Sequence, residues 1–123
     1  MLPYTFWEAE LAISEIYTGS EAVGATEWSC TTDTAGPDVD TTDGVFQVFL
    51  DTSDMVAGDQ LRIKIYEKIT SGGTQREIYT AVLTGTMTET WVSPSLILMH
   101  GWDVTLEALA GTITVLWSIR QVA

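Results

Sequence analysis

Basic residues are scarce: five Lys and Arg stand against seventeen Asp and Glu in 123 residues, a net charge of −12 at pH 7. A phosphate backbone or an anionic bilayer needs several cations on one face, so nucleic acid and membrane surfaces are poor partners for this chain. Cysteine and histidine occur once each, as Cys30 and His100. That pair is too few for a structural zinc site, and Cys30 has no partner for an internal disulfide. No run approaches the roughly 18 to 20 apolar residues of a membrane helix. The first twenty residues hold Glu8, Glu10 and Glu15 and no cation, the reverse of a signal peptide's basic start, so folding is expected where the chain is synthesised.

What is abundant is apolar surface. Hydrophobic residues make up 46% of the chain, which excludes the low-hydrophobicity, high-charge signature of disorder. A chain of this length is the size of one domain and can bury roughly two-thirds of its unfolded surface. No repeat, linker or low-complexity tract divides it, so residues 1–123 are expected to form a single β domain. Residues 1–20 read as an arm or docking segment as readily as part of that domain. The charge is uneven: residues 1–61 carry twelve acids and no cation, while from Arg62 onward five acids balance all five cations. The lopsided field serves solubility, or meets a basic partner and repels DNA.

Thr occupies nineteen positions, and short alternating runs are separated by Gly and Asp-Gly, the pattern of strands and turns. Leu61, Ile63, Ile65 and Ile69 share one face of a strand, with Glu67 interrupting the row; Arg62, Lys64, Tyr66 and Lys68 share the other. Ser71-Gly72-Gly73-Thr74 then predicts a hairpin turn into a strand over 75–84. Ile113, Val115, Trp117 and Ile119 alternate likewise, and Gly111 predicts a second hairpin with 104–110. Strands are also expected at 26–31 and 45–50, with a loop at 51–59 holding one helical turn. The run 91–99 is apolar enough for a core strand, but Pro94 cannot donate to a ladder and predicts an edge or a bulge. Near the start, Trp7, Ala9, Leu11 and Ile13 alternate as a strand would. Seven or eight short strands predict an all-β, antiparallel sandwich or jelly roll.

Candidate chemistry is thin. Asp33, Asp38, Asp40 and Asp43 cluster beside Gly36-Pro37, but the spacing fails the EF-hand pattern, and a solvated acidic loop competes with an irregular calcium site. Ser93, Ser95, His100 and Asp103 contain the elements of a hydrolase triad, yet no Gly-x-Ser-x-Gly elbow is present and an extended strand separates Ser93 from His100. Seventeen acids make any glycosidase-like carboxylate pair unspecific. No catalytic residue, metal or cofactor is therefore predicted. Five tryptophans are a heavy load for one small core. Trp117 belongs to an inward row. Phe6, Trp7, Trp91 and Trp102 fall at strand ends or turns and are the candidate interface residues, because aromatic anchors at such places bind partners.

The run from Asp43 to Asp51 (DGVFQVFLD), Ala57-Gly58-Asp59, Tyr66-Glu67-Lys68 before Ser71-Gly72-Gly73, Trp91-Val92-Ser93-Pro94, His100-Gly101-Trp102-Asp103 and Trp117-Ser118-Ile119-Arg120 resembles small virion-associated proteins of tailed bacteriophages. The resemblance spans residues 43–122. It implies a structural protein of the particle, not an enzyme: a capsid decoration or cement subunit on the outer surface of the head, made in the host cytoplasm. Its implied partners are the major capsid protein and its own copies, as a trimer at threefold or a dimer at twofold positions. The competing expectations are a tail, connector or fibre-base component, and a carbohydrate-binding module with exposed Trp and Tyr.

Overall fold

The computed structural model describes residues 12–122. They form ten strands and no helix: β1 (Ile13–Val23), β2 (Trp28–Ser29), β3 (Thr34–Ala35), β4 (Gly44–Asp51), β5 (Gln60–Glu67), β6 (Arg76–Thr84), β7 (Trp91–Val92), β8 (Leu96–Leu98), β9 (Asp103–Ala110) and β10 (Ile113–Val122). Two antiparallel sheets result. The first runs β1-β10-β4, with β7 and β8 both against the far side of β4; the second runs β3-β2-β9-β5-β6. The architecture is the expected all-β sandwich. Four of the ten strands are only two or three residues long, which accounts for the excess over seven or eight.

Period-two burial shows where the core sits. Phe46, Val48 and Leu50 of β4 and Ile113, Val115, Trp117 and Ile119 of β10 face Leu61, Ile63 and Ile65 of β5 and Val104, Leu106 and Ala108 of β9, all buried in one cluster. Each such large side chain contributes about 1.5–3 kcal/mol by leaving water. The hairpin across residues 68–75 forms as expected, with Leu61 opposite Leu83 and Ile63 opposite Ala81. Ile69 lies past the end of β5 and is 75% exposed, so it does not extend the buried row. Glu67 does occupy that row and is buried. Its carboxylate accepts the backbone N–H groups of Lys68, Met99, His100 and Gly101, and these four bonds compensate the desolvation.

Two other expectations are corrected. β9 and β10 are not a hairpin: β9 takes its partners from β2 and β5, and β10 from β1 and β4, so the turn at Gly111 carries the chain from one sheet to the other. Gly111 has φ +82°, and a Cβ there would stand 2.1 Å from Asp59 Oδ1, so both conformation and space demand glycine. Residues 52–59 form turns without a helical turn. Asp51 Oδ1 accepts the Ser53 N–H and Asp59 Oδ2 the Val56 N–H, fixing the loop so that Met55 is buried.

The break at Pro94 follows the sequence reading. β7 and β8 are two pieces of one interrupted edge, and Ser93 bridges the gap. Its N–H donates to the Val48 carbonyl at 2.9 Å, while its hydroxyl accepts the Val48 N–H at 2.9 Å and donates to the Pro94 carbonyl at 2.8 Å. A side chain thus supplies the acceptor that a regular ladder would have offered.

Candidate interaction surface

Directly opposed residues on neighbouring strands share a face, so the register alone assembles a row on the outer side of the first sheet. Ile13 of β1 opposes Val122 of β10, Val122 opposes Val45 of β4, and Val45 opposes Ile97 of β8. Ile13 is 75% exposed and Ile97 78%. The same face carries Phe49, opposed by the exposed Val92, and the exposed Leu116. Each residue is an ordinary outward position of its own strand. Together they make a continuous apolar band across four strands, the kind of surface that marks a contact site.

One cation stands on this sheet face. The Arg120 guanidinium lies 3.8 Å from the centroid of the Phe49 ring, a cation–π contact, and its Nε donates to Ser118 Oγ at 3.2 Å. Ser118 Oγ in turn donates to Glu15. The pair Phe49 and Arg120 divides two open hollows. One, of about 170 Å³, is lined by Ile13, Val45, Phe49, Arg120 and Val122 together with the polar Gln47 and Ser95, among others; the other, of about 260 Å³, by Phe49, Leu116, Trp117 and Arg120 among others. The other four cations belong to the β5–β6 hairpin of the second sheet. There Arg62 pairs with Glu107 at 2.5 Å and Lys64 with Glu77 at 3.0 Å.

The sequence-predicted interface residues have divergent fates. Trp102 is wholly buried, which corrects its assignment to an interface: it packs on Phe46 with ring centroids 4.5 Å apart, meets the edge of Tyr17, and donates from Nε1 to the Thr42 carbonyl at 2.8 Å. The bridge of its backbone to Asp40 draws it inward, since residues 31–43 close over it. Trp91 is half-buried at the seam between the sheets, 6.4 Å from the Tyr79 ring, and retains an accessible edge. Phe6 and Trp7 lie outside the described residues. The apolar band itself escaped the sequence reading. Val45, Ile97 and Val122 carried the right residue type, but only cross-strand register joins them.

The polar candidates hold the scaffold together. Asp103 is inaccessible to solvent and accepts from Ser29 Oγ, Thr31 Oγ1 and the N–H groups of Asp38 and Val104, at 2.7–3.0 Å. Burial pushes its carboxyl above the ordinary value, and these donors act against that rise. Ser93 is committed to β4, in the other sheet, so Ser93, His100 and Asp103 do not come together as a triad. Asp33 accepts from Trp28 Nε1, Asp38 from Thr32 Oγ1, and Asp40 from Tyr17. Those carboxylates staple residues 31–43, and among the described residues no group of three or more His, Cys, Asp or Glu is placed to hold a metal. Glu27 accepts from Tyr66 and Thr105, and burial is the main cause of the raised Tyr66 pKa. Cys30 is buried, and desolvation with Asp103 and Asp33 nearby raises its thiol well above the ordinary range.

Fold and surface define the chain as an antiparallel β-sandwich with one apolar outer sheet face. No family model matches the chain, and no curated protein matches it. Among solved structures it is similar in fold to a chain of the Bacillus endospore appendages, a family of disulfide-linked pili, at TM-score 0.48 and 16% identity over 92% of this chain and 90% of that one. It is similar to PirA at TM-score 0.49 and 12% identity, over 87% and 94% of the two chains. A third likeness is to a chain of infectious bursal disease virus, Gx strain, at TM-score 0.44 and 16% identity, over 92% of this chain and 32% of that one. None of these reaches close superposition, so function is read from this chain's own surface.

Proposed function

We propose that this protein is a structural subunit of a tailed-bacteriophage virion, a decoration or cement protein that stabilises the head by binding between capsomers of the major capsid protein. The observation that carries the reading is the apolar band Ile13–Val122–Val45–Ile97 on the outer face of a paired sheet, which supplies contact area for a partner. The resemblance of segments between residues 43 and 122 to virion-associated phage proteins supports a role in a virion. A cement subunit needs a compact scaffold, a lateral contact surface and a charge that does not capture the genome, and the net −12 meets the last need. Many copies, each binding modestly, resist internal pressure through multivalency.

Particles assembled without the protein are expected to form and then to burst at lower temperature and under osmotic shock, with addition of the purified chain restoring resistance. Particles that withstand both stresses as well as wild type, but fail to adsorb to the host, would move the protein to the tail.

A further inference from the structure

We propose that the tetrapeptide Glu-Ile-Tyr-Thr, which occurs once in each of the two long edge strands, is a guard that keeps copies of this chain from joining strand to strand, so that association is left to side chains on the sheet faces. It stands at residues 15–18 in β1 and again at residues 77–80 in β6. β1 is an edge of the first sheet and β6 an edge of the second. Both ladders slip at the same point of the motif. Glu15 opposes Arg120 and Tyr17 opposes Ile119, while Glu77 opposes Tyr66 and Tyr79 opposes Ile65, so Ile16 and Ile78 have no residue opposite them. A bulge of this kind bends its strand and increases the local twist, which turns an edge's free N–H and C=O groups out of line with an approaching strand.

The same chemistry pins both bulges. The glutamate before the isoleucine is held to its own sheet: Glu15 accepts from Ser118 Oγ of β10, and Glu77 pairs with Lys64 Nζ of β5 at 3.0 Å. The tyrosine after it meets a tryptophan ring from the other layer, Tyr17 with Trp102 beside β9 at 6.3 Å between centroids and Tyr79 with Trp91 of β7 at 6.4 Å. The isoleucine is not needed to face these anchors correctly, because the residues they oppose already alternate between the outer and inner sides. The other two edges need no such device. β3 is two residues long, and β7 and β8 are separated by the break at Pro94. β6 would otherwise invite pairing: it holds nine residues without Pro or Gly, with Val82 exposed and Tyr79, Ala81 and Leu83 only half-buried.

The inference goes beyond the virion reading and does not rest on it. Deletion of Ile78 restores an unbroken ladder in β6 and leaves every other residue of the strand on its present face. In sedimentation velocity of the full chain, with near-ultraviolet circular dichroism to verify the fold, the deletion variant is expected to associate at a concentration about tenfold or more below that of wild type. Amide protons of residues 79–84 are expected to gain protection from hydrogen exchange as it does so. Val82→Glu added to the deletion is expected to return association to the wild-type level, because the new charge blocks strand pairing while it faces Arg62 across the ladder. If the Ile78 deletion unfolds, deletion of Ile16 with and without Thr18→Lys puts the same question to β1. A folded deletion variant that associates no more readily than wild type, association that the added charge does not reverse, or loss of the fold in both deletions overturns the proposal.

Discussion

Trp102 shows how far residue type alone can mislead. A tryptophan flanked by glycine and aspartate at a strand end suggests a binding anchor, yet Tyr17, Phe46 and the Thr42 carbonyl enclose it completely. Nothing local to residues 100–103 signals that residues 31–43 will close over the ring. Trp102→Ala is expected to cost about 3–5 kcal/mol, the range for emptying a buried aromatic site. That is a large part of a typical domain's stability of about 5–15 kcal/mol. A urea midpoint that falls accordingly supports the core assignment; an unchanged midpoint with lost self-association would restore Trp102 to an interface. Asp103 makes a pH-dependent prediction. Its folded pKa lies above the ordinary value of 3.8, so between those two values folding takes up a proton and stability falls as pH rises. Asp103→Asn loses carboxylate bonds and is expected to be less stable throughout, but without this descent. The stability difference between wild type and variant should therefore shrink as pH climbs through the window above 3.8 and stay level beyond it. A difference that grows with pH there would contradict the assigned direction.

At the scale of elements, alternation identified the inward rows of β5 and β10 and the strands that became β4, β6 and β9, whereas β1 (Ile13–Val23) was not expected as a strand. Turn chemistry was legible at Ser71-Gly72-Gly73 and at Pro94. The connection at Gly111 was not, because a glycine in the left-handed region serves a hairpin and a crossing between sheets equally well. What distinguishes them is the start of β9, where Asp103, Val104 and Thr105 are all buried, so both faces are covered and the strand sits inside its sheet. That covering comes from residues far off in sequence. Ser93 is a second device visible only in three dimensions. Ser93→Ala leaves the buried Val48 N–H without its acceptor and is expected to cost about 1–3 kcal/mol, readable as a lower melting temperature. A loss too small to measure would mean that β7 and β8 pair with β4 without help from the hydroxyl.

For the whole molecule, the uneven charge of the sequence acquires a location. Four cations gather in the β5–β6 hairpin, two of them ion-paired, while on the first sheet Arg120 stands beside the apolar band. Composition signalled surplus apolar surface, but not which face would carry it. That depended on the pairings of β1, β10, β4 and β8, which join residues 52 (Val45 and Ile97) to 109 (Ile13 and Val122) positions apart. The aromatic residues that drew attention first are divided between core, seam and amino-terminal segment, and aliphatic positions form the surface between them. The band and the cation beside it are the features on which the proposed assembly role rests. Counting the chains bound per purified phage head tests that role most directly. The account predicts a saturating number in the hundreds that falls sharply for Val45→Asp; six or twelve copies, or none, would contradict it.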